Sequence, residues 1–346
     1  MLQILRLQLM MELIKMEENN FKFIKIQSKL EGLDGSYKEI LITITEDGTP
    51  RAVAFFDIDK TLAEMKSIHG AAIRALFKEF FGKDFDNIED VYFKGFRLGN
   101  SFREFDRMDG IYNLGYDKWI DPEVYIKERL NYKKKEIDSE GTEDHKVAKM
   151  YLDRYVQIAS KIADDIYKNN PAEFESSKIR PVIALAKLYK TLGIPMFGMT
   201  ANGKEFVHTI AKYLGLTELF IDISTDEDMV GGGKEIVIPK LIKELEEKGI
   251  KVSKEKLVVV GDSLSGDIGS GYRYKDGGNE IFIKGILVLK DMDELSKIKM
   301  QIANNPELNK IIKNTDTEAF VVDNVKLDSN RTPLLYSDKD KFLFKL

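Results

Sequence analysis

The sequence contains no cysteine, which rules out disulfides, thiolate metal sites and cysteine nucleophiles. Histidine is almost as scarce: His69, His145 and His208 are the only three in 346 residues. They are scattered without metal-ligand spacing, and each reads as a surface or packing residue. No apolar run approaches the ~20 residues that a membrane span needs. Met1 to Leu9 is apolar but broken by Arg6, with Glu12 and Lys15 following. It lacks the basic start and small-residue cleavage site of a secretory leader. No membrane partner is expected, and the expected location is cytoplasmic. An excess of positive charge is missing too: 53 basic residues face 58 acidic ones, for a net charge of −5. Recognition of a phosphate backbone wants a basic patch, so nucleic acid is not an expected partner.

What the chain does have is Ala52 to Leu62, Ala-Val-Ala-Phe-Phe-Asp-Ile-Asp-Lys-Thr-Leu. The unbroken apolar start suits a strand buried on both faces, as in a parallel sheet. It runs into Asp57 and Asp59, and open parallel sheets bind ligands at the carboxyl ends of their strands. One carboxylate of such a pair can attack phosphorus and form an aspartyl-phosphate. The other can protonate the leaving oxygen and then deprotonate water. Crowded carboxylates also call for a cation, and hard oxygen ligands suit Mg²⁺. The plainer alternative is an acidic turn that only caps a helix.

Partners for this pair follow along the chain. Ile194 to Met199 reads as a short buried strand ending in Thr200, with a helix from Asn202 to Lys212. A hydroxyl beside a helix N-terminus is well placed for phosphate, and Thr200 also suits a helix N-cap. Leu219 to Ile223 reads as another strand. Gly231-Gly232-Gly233-Lys234 has no strand leading into it and no Lys-Ser/Thr pair closing it, so it reads as a flexible turn. Pro239 to Lys248 reads as a helix with Lys240 in its first turn. Leu257 to Val260 is a β-branched strand that ends in Gly261-Asp262, and Asp267 follows five residues on. These two carboxylates face the same rim as Asp57. Gly285 to Leu289 and Ala319 to Val322 look like later strands, and Arg331 to Leu346 like a tail or packed surface segment.

Two regions lie outside this pattern. Phe21 to Gln27 and Lys38 to Glu46 are β-rich around the turn Gly32-Leu33-Asp34-Gly35, and read as an added hairpin forming an extra edge of the sheet. Between Thr61 and about Ser177 stand roughly 110 residues of helical periodicity, the size of a small domain. Within it, Tyr92 to Arg97, Phe102-Arg103 and Arg107 mix aromatics with cations that would suit an anionic substrate.

Asp57-Ile58-Asp59-Lys60-Thr61, Thr200, Lys240 and Gly261 to Asp267 resemble, in order, the four motifs of the haloacid dehalogenase-like (HAD) phosphatases. Lys240 stands 22 residues before Asp262, a spacing similar to that of the phosphoserine phosphatase-like branch; Lys234 is the second choice for the same role. The resemblance implies an α/β fold, a Rossmann-like parallel sheet with helices on both faces and an inserted, mainly helical cap. It implies an N-terminal extension at 1–50, a core at 51–66 and 178–346, and a cap at 67–177. It implies Asp57 as nucleophile and Asp59 as acid–base. Thr61, Thr200, Asn202 and Lys240 would contact the phosphoryl group. Mg²⁺ would be held by Asp57, the Asp59 backbone carbonyl, Asp262 and Asp267. The substrate would be a small phosphomonoester. Phosphoserine phosphatase carries a substrate-reading Glu nine positions after its nucleophile; here that position is Lys66, with Glu64 two residues early, which counts against phosphoserine. The same phospho-aspartate would also serve a phosphotransferase or mutase. The rival of another class is a catalytically weak regulatory or binding protein.

Overall fold

The structure, a computed structural model, describes residues 21–81, 143–229, 233–273, 275–276, 279–280, 283–325 and 343–346. Among the described residues, strands β1 (Phe21–Glu31) and β2 (Tyr37–Thr45) come first, followed by β3 (Val53–Phe56) and α1 (Lys66–Phe81). Helices α2 (Glu143–Asn169), α3 (Pro171–Ser177) and α4 (Arg180–Thr191) lead to β4 (Met196–Met199), α5 (Lys204–Leu214) and β5 (Asp222–Ser224). Then come α6 (Ile238–Glu247), β6 (Leu257–Gly261), a π-helical turn (Leu264–Ile268) and the short α7 (Gly269–Arg273). Strand β7 (Lys284–Leu289), α8 (Met292–Asn304), α9 (Pro306–Thr315), β8 (Glu318–Val321) and β9 (Leu343–Lys345) complete it.

Among the described residues the central sheet runs β9-β8-β7-β6-β3-β4-β5, all parallel except for β9. Strand β3 is central because its side chains are apolar on both sides. Val53 and Phe55 join one cluster, and Ala54 and Phe56 the other. Alternate residues of a strand point to opposite faces, so a continuous apolar run needs cover on both. One face is covered by α1, α2, α4 and α5, through residues such as Leu76, Tyr155, Val182 and Phe206. The other is covered by α6, α8, α9 and the N-terminal hairpin, through Leu245, Leu295, Ile311 and Ile42. The chain steps from β3 to β4 on one side and later to β6 on the other. That reversal beside β3 opens a crevice at the strands' carboxyl ends.

The strands and helices expected around the motifs all form, with bounds shifted by one to three residues. The largest shift is at β5: Leu216–Glu218 is a 3-10 turn, and the strand starts only at Asp222. The expected tail contributes the edge strand β9, antiparallel to β8. The expected edge hairpin is instead a separate two-stranded sheet. Its buried face, Ile26, Ile40, Ile42 and Ile44, lies over the central sheet. The bonds from Lys29 N–H to the Ile221 carbonyl and from Thr43 N–H to the Gly193 carbonyl attach it, at 2.8 and 2.9 Å. Segments entering and leaving the long insertion are also tied together, from Glu64 N–H to Ser177 and from Ile179 N–H to Leu62, at 2.8 and 2.9 Å. Most of that insertion, including Tyr92 to Arg107 and Pro122 to Leu130, lies outside the described residues.

Gly193 joins α4, β4 and the hairpin in one place. Its φ is +66°, and a Cβ there would lie 2.6 Å from the Thr43 backbone nitrogen. Gly193→Ala is expected to cost at least about 2 kcal/mol, since left-handed strain alone is about 1–2 kcal/mol. Urea unfolding checks this; an unchanged midpoint would mean the hairpin is not seated here.

Candidate active site

The turn after β3 carries the first group of polar residues. Asp57 is buried at 7% exposure, and its N–H donates to the Val260 carbonyl of β6 at 2.8 Å. The turn then tightens: Leu62 and Ala63 N–H both return to the Ile58 carbonyl. Lys60 takes φ +59° to make it, a conformation disfavoured for any residue with a Cβ. Through this reversal the fully buried Thr61 hydroxyl donates to Asp57 Oδ2 at 3.1 Å. Thr61 therefore fixes the rotamer of the carboxylate.

The second group comes from β6 and the π-helical turn. Asp57, Asp262 and Asp267 each offer a carboxylate oxygen within 4.8 Å of the others. Asp267 swings back because its Oδ2 accepts the Ser263 N–H at 2.9 Å. Gly261 permits this approach, since any Cβ there would collide with the Asp267 side chain.

The cation between them is Lys234. Its Nζ lies 2.5 Å from both Asp57 Oδ1 and Asp267 Oδ1. It stands in a 3-10 turn (Lys234–Ile236) immediately ahead of α6. Lys234 is the second choice of lysine; Lys240, the first, is exposed and donates to the Asp228 carbonyl at 3.2 Å. The reason is the helix face: α6 buries Ile238, Leu241, Ile242 and Leu245, and position 240 falls off that stripe. The lysine that closes the glycine stretch reaches the carboxylates; Gly231 and Gly232 lie outside the described residues.

Electrostatics follow from this crowding. Burial, with the neighbouring charges of Asp267 and Asp262, holds the Asp57 carboxyl well above the usual carboxylate range despite Lys234. Asp262 is pushed up to about 7, chiefly by burial and then by Asp267. Burial opposes charge on Lys234, but Asp267 and Asp57 outweigh it and raise the ammonium further. Fully ionised, the three carboxylates against one ammonium would leave two negative charges. One divalent cation would neutralise them, and an all-oxygen donor set suits Mg²⁺. The residues present therefore fit a hard divalent ion.

Thr200 ends β4 and is buried at 1% exposure. Its Oγ1 accepts from Asn202 N–H and Nδ2 at 3.3 and 3.2 Å, so Asn202 turns onto Thr200. The first N–H of α5, on Lys204, is taken by the Glu227 carboxylate at 3.0 Å. The expected open helix N-terminus is therefore already partnered there. Asp59 has further partners of its own: its Oδ1 accepts from Met65 N–H and its Oδ2 lies beside His69 Nε2, both at 3.3 Å. Burial works against charge on Asp59, yet His69, Lys60 and the Met65 N–H together hold it below its ordinary range. His69, expected as ordinary packing, thus touches a site residue.

The sequence profile described as hydrolase, haloacid dehalogenase-like hydrolase, matches residues 52–272. No curated protein matches the chain. Among solved structures, YfnB from Bacillus subtilis bound to magnesium is 15% identical over 68% of this chain and 88% of its own, with a TM-score of 0.38. CbbY from Rhodobacter sphaeroides in complex with phosphate is 16% identical over 68% and 85%, with a TM-score of 0.39. A predicted phosphoglycolate phosphatase from Haemophilus somnus is 15% identical over 68% and 84%, with a TM-score of 0.42. The profile match spans well over half of the chain, from the strand that carries Asp57 to the helix after Asp267, and the chain belongs to the haloacid dehalogenase-like hydrolases.

Proposed function

We propose that this protein hydrolyses a small phosphomonoester through an aspartyl-phosphate on Asp57, in a reaction that depends on Mg²⁺. The observation that carries the proposal is the convergence of Asp57, Asp262, Asp267 and Lys234 at the ends of adjacent strands. Phosphoryl transfer asks mostly for positioning and charge neutralisation, and this cluster supplies both.

In this reading an Asp57 oxygen attacks phosphorus as the bond to the leaving oxygen breaks. Thr61 holds the attacking carboxylate in place. Asp59 gives its proton to the departing alcohol. It then takes a proton from the water that attacks phosphorus, which releases phosphate and restores Asp57. Lys234 neutralises charge on the transferring group, the role expected of Lys240. Thr200 would donate to a phosphoryl oxygen. Asp57, Asp262 and Asp267, with the Asp59 carbonyl, would hold a divalent ion, which would supply positive charge where phosphate and carboxylate repel.

Asp57→Asn should lower kcat at least about 1,000-fold while keeping the fold. Lys234→Met should lower it about 100- to 1,000-fold, whereas Lys240→Met should leave it unchanged. Steady-state assays over sugar phosphates, nucleotides and phospho-amino acids check this. Full turnover by Asp57→Asn would remove the nucleophile, and a larger loss in Lys240→Met would restore the first choice of lysine.

The raised Asp262 carboxyl makes a second prediction. An unfolded Asp ionises near about 3.9, while folded Asp262 ionises at about 7. Between the two the folded protein keeps a proton that the unfolded chain has lost. This group's contribution to stability therefore falls as pH rises through that window. Mg²⁺ needs the carboxylate, so its binding should strengthen over the same range. In chelator, this group should lower the melting temperature as pH rises from about 4 to about 7, and Mg²⁺ should raise it more at the upper pH. A Mg²⁺ gain that is larger at the acid end contradicts the cluster as the metal site.

A further inference from the structure

Asp59 belongs to a second, separate network. Beyond the 3.3 Å approach of Asp59 Oδ2 to His69 Nε2, the other imidazole nitrogen, Nδ1, is hydrogen-bonded to the Tyr155 hydroxyl. His69 stands in the first turn of α1 and is 3% exposed; Tyr155 comes from α2 and is 1% exposed. The Tyr155 ring stacks beside the imidazole at 6.2 Å between centroids. Phe206 of α5 closes edge-on at 5.4 Å. Three helices thus clamp one imidazole between a phenol and a carboxylate.

We propose that His69 and Tyr155 are positioning residues that aim Asp59 and direct its proton to the leaving group. The inference rests on Asp59 being the acid–base of the reaction above. A phenol can donate to Nδ1 or accept from it; in the proposed arrangement it donates, and the ring hydrogen resides on Nε2, the nitrogen that faces Asp59 Oδ2. Nε2–H donates to Asp59 Oδ2. A nitrogen that already carries a hydrogen cannot accept one from Asp59. So when the Asp57–phosphorus bond forms and the phosphorus–oxygen bond to the alcohol breaks, the Asp59 proton goes to the alcohol oxygen. Asp59 is left a carboxylate, and the same Nε2–H holds it ready for the water of the second step. Without the Tyr155 hydroxyl either nitrogen can carry the hydrogen, and one of the two tautomers presents a base to Asp59.

Proton donation matters only when the leaving group is basic, so a series of aryl phosphates of one shape isolates it. Single-turnover phenol release is measured from p-nitrophenyl to p-methoxyphenyl phosphate. His69→Leu should leave p-nitrophenol release within about 3-fold and slow p-methoxyphenol release about 10- to 100-fold. Tyr155→Phe, a milder change to the fold, should show the same trend at about 10-fold or less. His69→Gln, whose amide N–H can take the place of Nε2–H, should recover most of the loss. In ¹⁵N spectra His69 should be the Nε2–H tautomer in the unmodified protein and lose that preference in Tyr155→Phe. Equal losses along the series, no loss, or an Nδ1–H tautomer in the unmodified protein would each overturn the proposal. If the unmodified protein releases no phenol, the phosphatase reading fails and the relay with it. If it does and Asp57→Asn does not, that reading stands and the series judges the relay alone.

Discussion

Three crowded carboxylates, Asp57 and Asp267 buried and Asp262 partly so, gathered about one ammonium are the constraint on which the rest of this molecule depends. Lys234 bridges Asp57 and Asp267 at 2.5 Å to each, yet it cannot neutralise Asp262 as well. Buried charges of one sign repel strongly and are costly to desolvate. They persist because the surroundings over-determine them: Thr61 on one Asp57 oxygen, the Ser263 N–H on Asp267, and a glycine where Asp267 must pass. Each depends on backbone placement at a strand end, so the order of the strands is part of the site. The core beneath is correspondingly firm. Phe55 stacks on Phe197 at 6.0 Å and Phe56 meets Phe220 at 5.7 Å, and burying such side chains contributes about 2–3 kcal/mol each.

Much of this was legible before any coordinates. Ala52 to Phe56 announced a doubly covered strand, because only such a strand can be apolar at every position. Leu257 to Val260 did the same, and both ran straight into acids. Period-two isoleucines marked the hairpin. What could not be read was direction. Two lysines six residues apart were both plausible for one role, and only the seating of α6 on its apolar stripe shows that Lys240 turns outward. The hairpin's alternation revealed a buried face but not that it would lie across the sheet instead of extending it. Helices α8 and α9 were not anticipated, although Asp291 and Asn305 accept bonds from the N–H groups of their first turns. A capping residue alone, without a strong apolar run behind it, is too common a signal to commit to.

His69 was missed for a different reason. It lies on the buried side of α1 among Ile68, Ala72 and Leu76, where a histidine normally signals packing. Nothing within reach along the chain marks it, since its two partners are ten residues back and 86 residues ahead. The only available sign was the scarcity of histidine itself. With three in the whole chain, one on the apolar face of the helix that directly follows the acidic turn is an unusual place for an idle one.

Asp57 and Asp59 stand two residues apart and yet live in opposite surroundings. In the protein alone burial and its acidic neighbours hold the Asp57 carboxyl above the usual carboxylate range, while His69, Lys60 and the Met65 N–H hold Asp59 below it against burial. That order is the reverse of what a nucleophile and a general acid require. Binding would invert it. A divalent cation among Asp57, Asp262 and Asp267 favours their ionised forms, while a phosphoryl dianion arriving beside Asp59 favours its protonated form by like-charge repulsion. The close contacts of Asp57 run to β6 and Lys234, and those of Asp59 to α1 and α2. Lys60 nevertheless acts on both Asp59 and Asp262, so the two sets of partners are coupled through charge. Under the proposed reaction, metal and substrate would each push one of the two carboxyls toward the protonation state that its role requires.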